Sequence, residues 1–165
     1  GESRDGQTVA VVNLLGQLFL SPPHGPWELV DELVEEARRR TPIILVDFHG
    51  EATSEKVALA KYLDGRVALV VGTHTHVPTA DARIFSAGTG FITDLGMCGP
   101  YDSIIGRAPE AVLRHMTTGV HVPYEVGSGG EAMCGVIARI DEGSGRTLSI
   151  QRKQYDADRT QPPFV

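Results

Sequence analysis

Several common features are scarce in this 165-residue sequence, and each scarcity excludes a class of function. The two cysteines, Cys98 and Cys134, form no C-x-x-C pair, which favours reduced core residues over a disulfide framework or a zinc knuckle. No apolar run reaches the roughly 18–20 residues of a membrane span, and no signal-peptide pattern is present. Lys and Arg number 15 against 21 Asp and Glu, and the net charge of −6 argues against a long nucleic-acid partner. We therefore expect a soluble, acidic, cytoplasmic protein.

The apolar residues that are present follow an alternating pattern over the first half of the chain. Buried-strand runs are separated by segments in which apolar residues recur at helical spacing. The predicted elements are strands over 9–14, 43–46 and 67–71, and helices over 26–40 and 53–63. Thr53 or Ser54 is expected to cap the second helix. This order is typical of an α/β sheet with crossover helices.

After residue 78 the pattern changes to shorter elements. We predict strands over 83–85, 90–93 and 120–126, a helix over 109–116, and a closing hairpin formed by 133–140 and 147–154. There is no internal repeat and no sign of a second domain. The sequence therefore predicts a single domain over residues 1–165, with residues 156–165 as a tail.

Three histidines follow two neighbouring predicted strands. His49 comes directly after one strand, and His74 and His76 follow the next. Ligands of open α/β sheets collect at the carboxyl ends of strands, so these side chains should share one edge. Neutral imidazole binds Zn, Fe or Mn near pH 7, and paired metals roughly 3.5–4 Å apart serve phosphoesterases. The alternative is that they are loop residues bonded to backbone. We favour metal ligands, partly because Gly72 would let the backbone approach a bound ion closely.

The residues around these histidines carry a resemblance to a known family. The matching blocks are 11–16 (VVNLLG), 46–56 (VDFHGEATSEK), 72–81 (GTHTHVPTAD) and 93–106 (TDLGMCGPYDSIIG). Over about residues 8–106 the chain resembles the bacterial YmdB-like branch of the calcineurin-like metallophosphoesterases. The last 60 residues are similar only in general pattern.

The resemblance implies both a fold and a chemistry. The fold would be a four-layer α/β-β/α sandwich with a dinuclear centre of Fe or Mn, with Zn as an alternative. The implied reaction is hydrolysis of small phosphodiesters by a bridging hydroxide, with 2′,3′-cyclic nucleotides as the characteristic substrates. His49 and His74 would bind one metal and His76 the other. Asp81 and Glu51 are candidates for orienting these ligands from behind, or alternatively for capping turns.

The chain departs from the family pattern in one important way. The family's remaining ligands and its general-acid His come from an N-terminal half with Asp-x-x-Gly, Asn-Glu and Gly-Asn-His blocks, and these blocks are missing here. The only asparagine, Asn13, lies inside a predicted strand. The hairpin dipeptide Asp5-Gly6 has only four residues before it, as expected if the chain begins within a structure. We therefore expect part of a sandwich that lacks its N-terminal strands and helices and that alone binds metal weakly and turns over poorly.

Two other functions fit the same residues. One is a non-catalytic scaffold or oligomerisation module that retains the fold, for which association with a second copy of the chain is expected. The other is a mononuclear hydrolase in which His49, His74 and His76 share one ion with a water, as in catalytic zinc sites.

Overall fold

The computed structural model describes residues 1–2 and 6–157 and shows a mixed α/β fold with two sheets. Its elements in chain order are β1 (Ala10–Leu15), α1 (Pro26–Arg38), β2 (Ile44–His49), α2 (Thr53–Tyr62), β3 (Leu69–Thr73), β4 (Arg83–Ile84), β5 (Gly90–Ile92), β6 (Cys98–Pro100), α3 (Pro109–Thr118), β7 (Glu131–Ile140) and β8 (Thr147–Asp156). No helix among the described residues has the length and apolar character needed to cross a membrane.

The larger sheet has the strand order β1-β2-β3-β5-β4. Its first four strands run parallel, and β4 pairs antiparallel with β5 at one edge. In this register Asn13 lies opposite Asp47, and His49 lies opposite Thr73. Residues in register on neighbouring strands point to the same face of a sheet. The register therefore places the polar residues at the carboxyl ends of β1, β2 and β3 on one face.

The opposite face of this sheet holds the hydrophobic core. Val30 and Val34, one turn apart on α1, are fully buried, as is Phe48 on β2. Burying a side chain of this size contributes about 1.5–3 kcal/mol relative to exposure, so packing of the helices stabilises the sheet. Pro26 starts α1 at a position where its missing N–H costs no hydrogen bond.

The second sheet has the order β6-β7-β8 and contains the predicted closing hairpin. Thr147 attaches it to the first sheet, since its hydroxyl donates to the Ala68 carbonyl at 2.6 Å and its N–H to the Gly88 carbonyl at 2.9 Å.

The closing hairpin and the strands and helices predicted in the first half of the chain are confirmed, with shifts of a few residues at their ends.

Several predictions were wrong. Residues 120–126 form no strand; they contribute one bridge, between Arg107 and Val126. Pro123 has no N–H to donate, and Val126 is 83% exposed, so this segment lacks the pairing and packing that hold a strand. The cap of α2 is Ala52, with no side-chain hydrogen bond, rather than Thr53 or Ser54.

Three further expectations concern the cysteines and the chain ends. Cys134 is buried and Cys98 is exposed on β6, a strand that the sequence analysis missed, so only Cys134 is a core residue. Gly1 and Val9 exchange backbone hydrogen bonds, but Asp5 of the predicted turn lies outside the described residues. Of the expected tail, Asp156 belongs to β8, and residues 158–165 are outside the described part.

Candidate metal centre

The structure brings His49 and His74 into direct contact at the end of β2 and β3. Nε2 of His49 lies 3.0 Å from Nδ1 of His74, and the rings are nearly perpendicular, at 88°. This separation is a hydrogen-bond distance, and it is also about the separation of two nitrogens bound at right angles to one metal at about 2.1 Å. The pair therefore has the spacing of neighbouring ligands of a single ion.

The other nitrogen of His49 is held by a chain of hydrogen bonds that crosses three strands. Nδ1 of His49 lies 3.1 Å from the Thr73 hydroxyl, which donates its hydrogen to Asp47 at 2.9 Å. Asn13 donates to the second oxygen of Asp47 at 2.8 Å. Because the Thr73 hydrogen is used on Asp47, the hydroxyl can only accept from an Nδ1–H of His49. This tautomer leaves Nε2 of His49 with a free lone pair facing His74.

His74 has the complementary arrangement. Its Nε2 lies 2.9 Å from a carboxylate oxygen of Glu51. An ionised carboxylate only accepts hydrogen bonds, so Nε2 of His74 carries a hydrogen. Its Nδ1 donates to the lone pair of His49 Nε2 at 3.0 Å unless an ion lies between the two nitrogens. A carboxylate behind a histidine is the usual support of a metal ligand. The structure thus places Glu51 against His74, and its role as the support of a metal ligand stays a prediction.

His76 lies on the same loop but contacts a different part of the chain. Its Nδ1 lies 2.8 Å from the carbonyl oxygen of Ile105, so Nδ1 is the donor and Nε2 is left with a lone pair. Within the described residues no three His, Cys, Asp or Glu side chains are grouped closely enough to hold a metal ion. The three imidazoles are chemically suited to binding a metal ion, and the described residues supply no carboxylate to bridge a second ion.

The loop that carries these histidines has an unusual backbone. His74 has φ of 111° and His76 has φ of 66°, a region that non-glycine residues seldom occupy. The N–H of Thr75, between them, donates to the buried carboxylate of Asp94 at 3.0 Å. Backbone strain of this kind persists only where surrounding contacts hold it, and it is concentrated at functional sites.

Asp94 is the anchor for this strained loop. It forms a buried ion pair with Lys56 of α2, at 2.8 Å. Burial alone would raise the pKa of Asp94, but hydrogen bonds from Lys56 and from the N–H groups of Gly96 and Thr75 hold it below its ordinary value. The carboxylate is therefore charged at neutral pH and fixes the loop in place.

Gly72 allows a close contact between two backbone segments. A Cβ at this position would lie 1.7 Å from the carbonyl oxygen of Thr93 and 2.9 Å from Lys56. The structure accounts for this glycine by a close contact between two backbone segments, and the approach of a bound ion to it stays a prediction. That contact brings the strand preceding His74 next to Thr93.

Asp81 does not touch the histidines. Its carboxylate accepts from the hydroxyls of Thr79 and Thr93, both at 2.6 Å, and from the Thr93 N–H at 3.1 Å. Burial raises the pKa of Asp81, and these hydrogen bonds outweigh it and lower the pKa below its usual range. The structure thus gives Asp81 the turn-stabilising position that was its alternative role.

Sequence reasoning missed three supporting residues: Asn13, Asp47 and Thr73. A signal for Asp47 was available, because alternation along a strand puts residues 47 and 49 on the same face. The contribution of Thr73 and Asn13 depends on the register between strands, which the sequence does not specify.

The fold and site define a class of α/β proteins with a histidine cluster at the carboxyl ends of parallel strands. The model of the YmdB-like protein family matches residues 2–153, and the chain belongs to that family. It is 48% identical over 148 residues to a Bacillus subtilis protein named 2′,3′-cyclic-nucleotide 2′-phosphodiesterase, with 90% of this chain and 56% of that protein covered.

Two solved structures are similar to this one. A hypothetical protein from Thermus thermophilus has a TM-score of 0.86 and 40% identity, covering 93% of this chain and 60% of that one. A novel phosphatase from Mycoplasma pneumoniae has a TM-score of 0.80 and 37% identity, covering 88% and 52%. The chain spans about half the length of the curated relatives it matches.

Proposed function

We propose that the protein containing this chain is a metal-dependent phosphodiesterase that hydrolyses small phosphodiesters, with 2′,3′-cyclic nucleotides as substrates. The observation that carries the proposal is the hydrogen bonding of the three histidines. In each ring one nitrogen is satisfied by an acceptor, and the other is the nitrogen available to a metal ion (Thr73 behind His49, Glu51 behind His74, Ile105 behind His76). The name of the Bacillus subtilis relative supports the substrate class.

In this proposal His49 and His74 hold one metal ion, and His76 holds the second. Fe or Mn fits imidazole ligands accompanied by oxygen donors, and Zn is the alternative. When bound, such a pair supplies Lewis-acid polarisation of a phosphoryl oxygen and lowers the pKa of water. The chain's own residues fix the tautomers and orient the rings, and the Asp94 anchor holds the loop that carries His74 and His76.

We further propose that the chain forms about half of a four-layer α/β-β/α sandwich of the calcineurin-like type. Val11 and Leu15 of β1 support this, because they are 69% and 41% exposed on the face that is not covered by α1. A further layer would bury them. The bridging carboxylate and the general acid would come from residues outside this chain, so the chain alone should bind metal weakly. A cytoplasmic location and a homo-oligomer stay predictions.

The test uses the full-length protein and substitutes one histidine at a time. His74→Ala and His76→Ala should each reduce bound metal, measured by elemental mass spectrometry, and abolish hydrolysis of adenosine 2′,3′-cyclic phosphate. His24→Ala is the matched control, since His24 is exposed and its ion pair is an exposed one, with Glu28 of α1. Retention of metal and of hydrolysis in both site variants would overturn the proposal in favour of a non-catalytic module.

A further inference from the structure

A cavity of about 360 Å³ opens beside His76. Its walls come from two segments, one containing Ile105 and Arg107 and the other containing Tyr124 and Val126, with Met97 on a third side. Small-molecule sites have volumes of about 300–1,000 Å³, so this cavity is suited to one nucleoside rather than to an oligonucleotide. Because His76 is itself part of the lining, a ligand in the cavity would reach the candidate metal centre.

The walls of the cavity are held together by backbone hydrogen bonds. Arg107 and Val126 form a backbone bridge, Ala108 donates to the Glu125 carbonyl at 3.0 Å, and Gly127 donates to the Gly106 carbonyl at 2.9 Å. These bonds hold the two main segments at a fixed separation. Residues 120–126, which form no strand, are therefore positioned as a wall of the cavity.

The side chains on these walls suit a nucleobase. The guanidinium carbon of Arg107 lies 4.7 Å from the ring centroid of Tyr124, as in a cation–π stack. Aromatic faces and guanidinium planes are the surfaces on which unpaired bases stack. Glu125 also lines the cavity, but Arg107 forms no ion pair among the described residues, so its charge is available to an anionic ligand in a protein with net charge −6.

The position of His76 links the cavity to the reaction site. Its Nδ1 is bonded to the carbonyl of Ile105, a cavity residue whose own φ is +47°, a rare value for a β-branched side chain. His76 is thus bonded to a residue of the cavity wall whose backbone is strained, and its Nε2 stays free. A phosphate held near His76 would leave its attached nucleoside within reach of Tyr124.

From these observations we infer that the cavity is the nucleoside subsite of the enzyme, with the base stacked against the Arg107–Tyr124 pair and Arg107 paired with the phosphate. The inference rests on the proposed function and deepens it. Tyr124 is then a specificity-determining residue that contributes to the binding of nucleotides and not to the cleavage of diesters as such.

The test compares substrates with and without a base on the full-length, metal-loaded protein. Tyr124→Leu should raise KM for adenosine 2′,3′-cyclic phosphate about tenfold, in line with the loss of one base–aromatic stack. It should leave the cleavage of glycerol 1,2-cyclic phosphate unchanged, because that diester has the same ring but no base. Tyr124→Phe keeps the aromatic face and should behave as the unsubstituted protein. Equal effects on both substrates, or none on either, would overturn the inference.

A binding measurement separates this inference from the proposed function. Calorimetry should show that Tyr124→Leu raises the Kd of adenosine 3′-monophosphate about tenfold and leaves that of inorganic phosphate unchanged. If the full-length protein cleaves neither diester, the proposed function fails, and the binding result alone decides the subsite. A Kd for the nucleotide that is the same in both proteins would then reject it.

Discussion

Lys56 and Asp94 form a buried ion pair that joins α2 to the loop carrying His74 and His76. The two side chains are 1% and 0% exposed, and their charged atoms are 2.8 Å apart. The oxygen of Asp94 that binds Lys56 also accepts the N–H of Thr75, and the other oxygen accepts that of Gly96. One carboxylate therefore connects the core helix with the strained backbone of the candidate site.

Breaking this ion pair should strongly destabilise the protein. Lys56→Met leaves Asp94 buried without its cation, which costs about 3–5 kcal/mol of unfolding free energy. Urea denaturation measures the change. Arg40→Ala is the control, because its pair with Glu36 is exposed and should contribute no more than about 0.5 kcal/mol. Similar urea midpoints for the two variants would contradict the structural role of the pair.

Gly72→Ala should also destabilise the fold. The added methyl carbon would meet the Thr93 carbonyl oxygen at 1.7 Å, so the strand end must move. Overpacking of this kind costs about 1–3 kcal/mol, and occasionally more, in urea denaturation. Gly135→Ala is the matched control within β7, since a Cβ there meets no atom within 4 Å. Equal stability of the two variants would show that β3 does not depend on this close contact.

Thr73→Val should weaken metal binding without unfolding the chain. It removes the hydroxyl that links His49 to Asp47 and keeps the shape of the side chain. Loss of such a supporting group costs about 10–100-fold in metal affinity. Calorimetry with Mn²⁺ on the full-length protein measures this, and ¹⁵N NMR should show that His49 no longer holds its hydrogen on Nδ1 alone. Thr73→Ser should restore both the Mn²⁺ affinity and the Nδ1–H signal. A normal Nδ1–H signal in Thr73→Val would contradict the chain of hydrogen bonds from His49 through Thr73 to Asp47.

Glu51→Gln should weaken metal binding about tenfold, because the neutral amide supports His74 less well than a carboxylate. Asp81→Asn is the matched control, since Asp81 contacts threonines and Arg83 rather than the histidines. The Mn²⁺ affinities of both full-length variants are compared by calorimetry. A larger loss in Asp81→Asn than in Glu51→Gln would reverse the roles assigned to these carboxylates.

Asp81 should contribute to acid sensitivity. Its folded pKa is below the ordinary 3.8, so the unfolded state binds a proton more readily between the two values. Its contribution to stability is therefore present above about pH 4 and lost as pH falls through the folded pKa. Urea denaturation from pH 7 to pH 2 should show a shallower acid-induced loss of stability in Asp81→Asn. An identical pH profile in both proteins would exclude this contribution.

Much of the fold follows from local patterns in the sequence. The strands and helices of the first half were predicted within a few residues, since the apolar periodicity of a buried strand and of an amphipathic helix is a local property. The prediction of a strand over 120–126 was wrong because a strand also needs a partner strand. Tyr124 and Val126 instead line a cavity. The short strand β6 was missed because its pairing with β7 is decided more than 30 positions away.

The sequence by itself determined that three histidines follow the ends of neighbouring parallel strands, and that the chain matches only part of a larger family pattern. Only the tertiary structure decided which ring nitrogen of each histidine is available to a metal ion. That choice depends on strand register, which aligns Asn13 with Asp47 and His49 with Thr73, and on the Lys56–Asp94 pair, which fixes the loop. Hydrogen bonds between residues more than 20 positions apart set the tautomers, and such partners have no local signature in the chain.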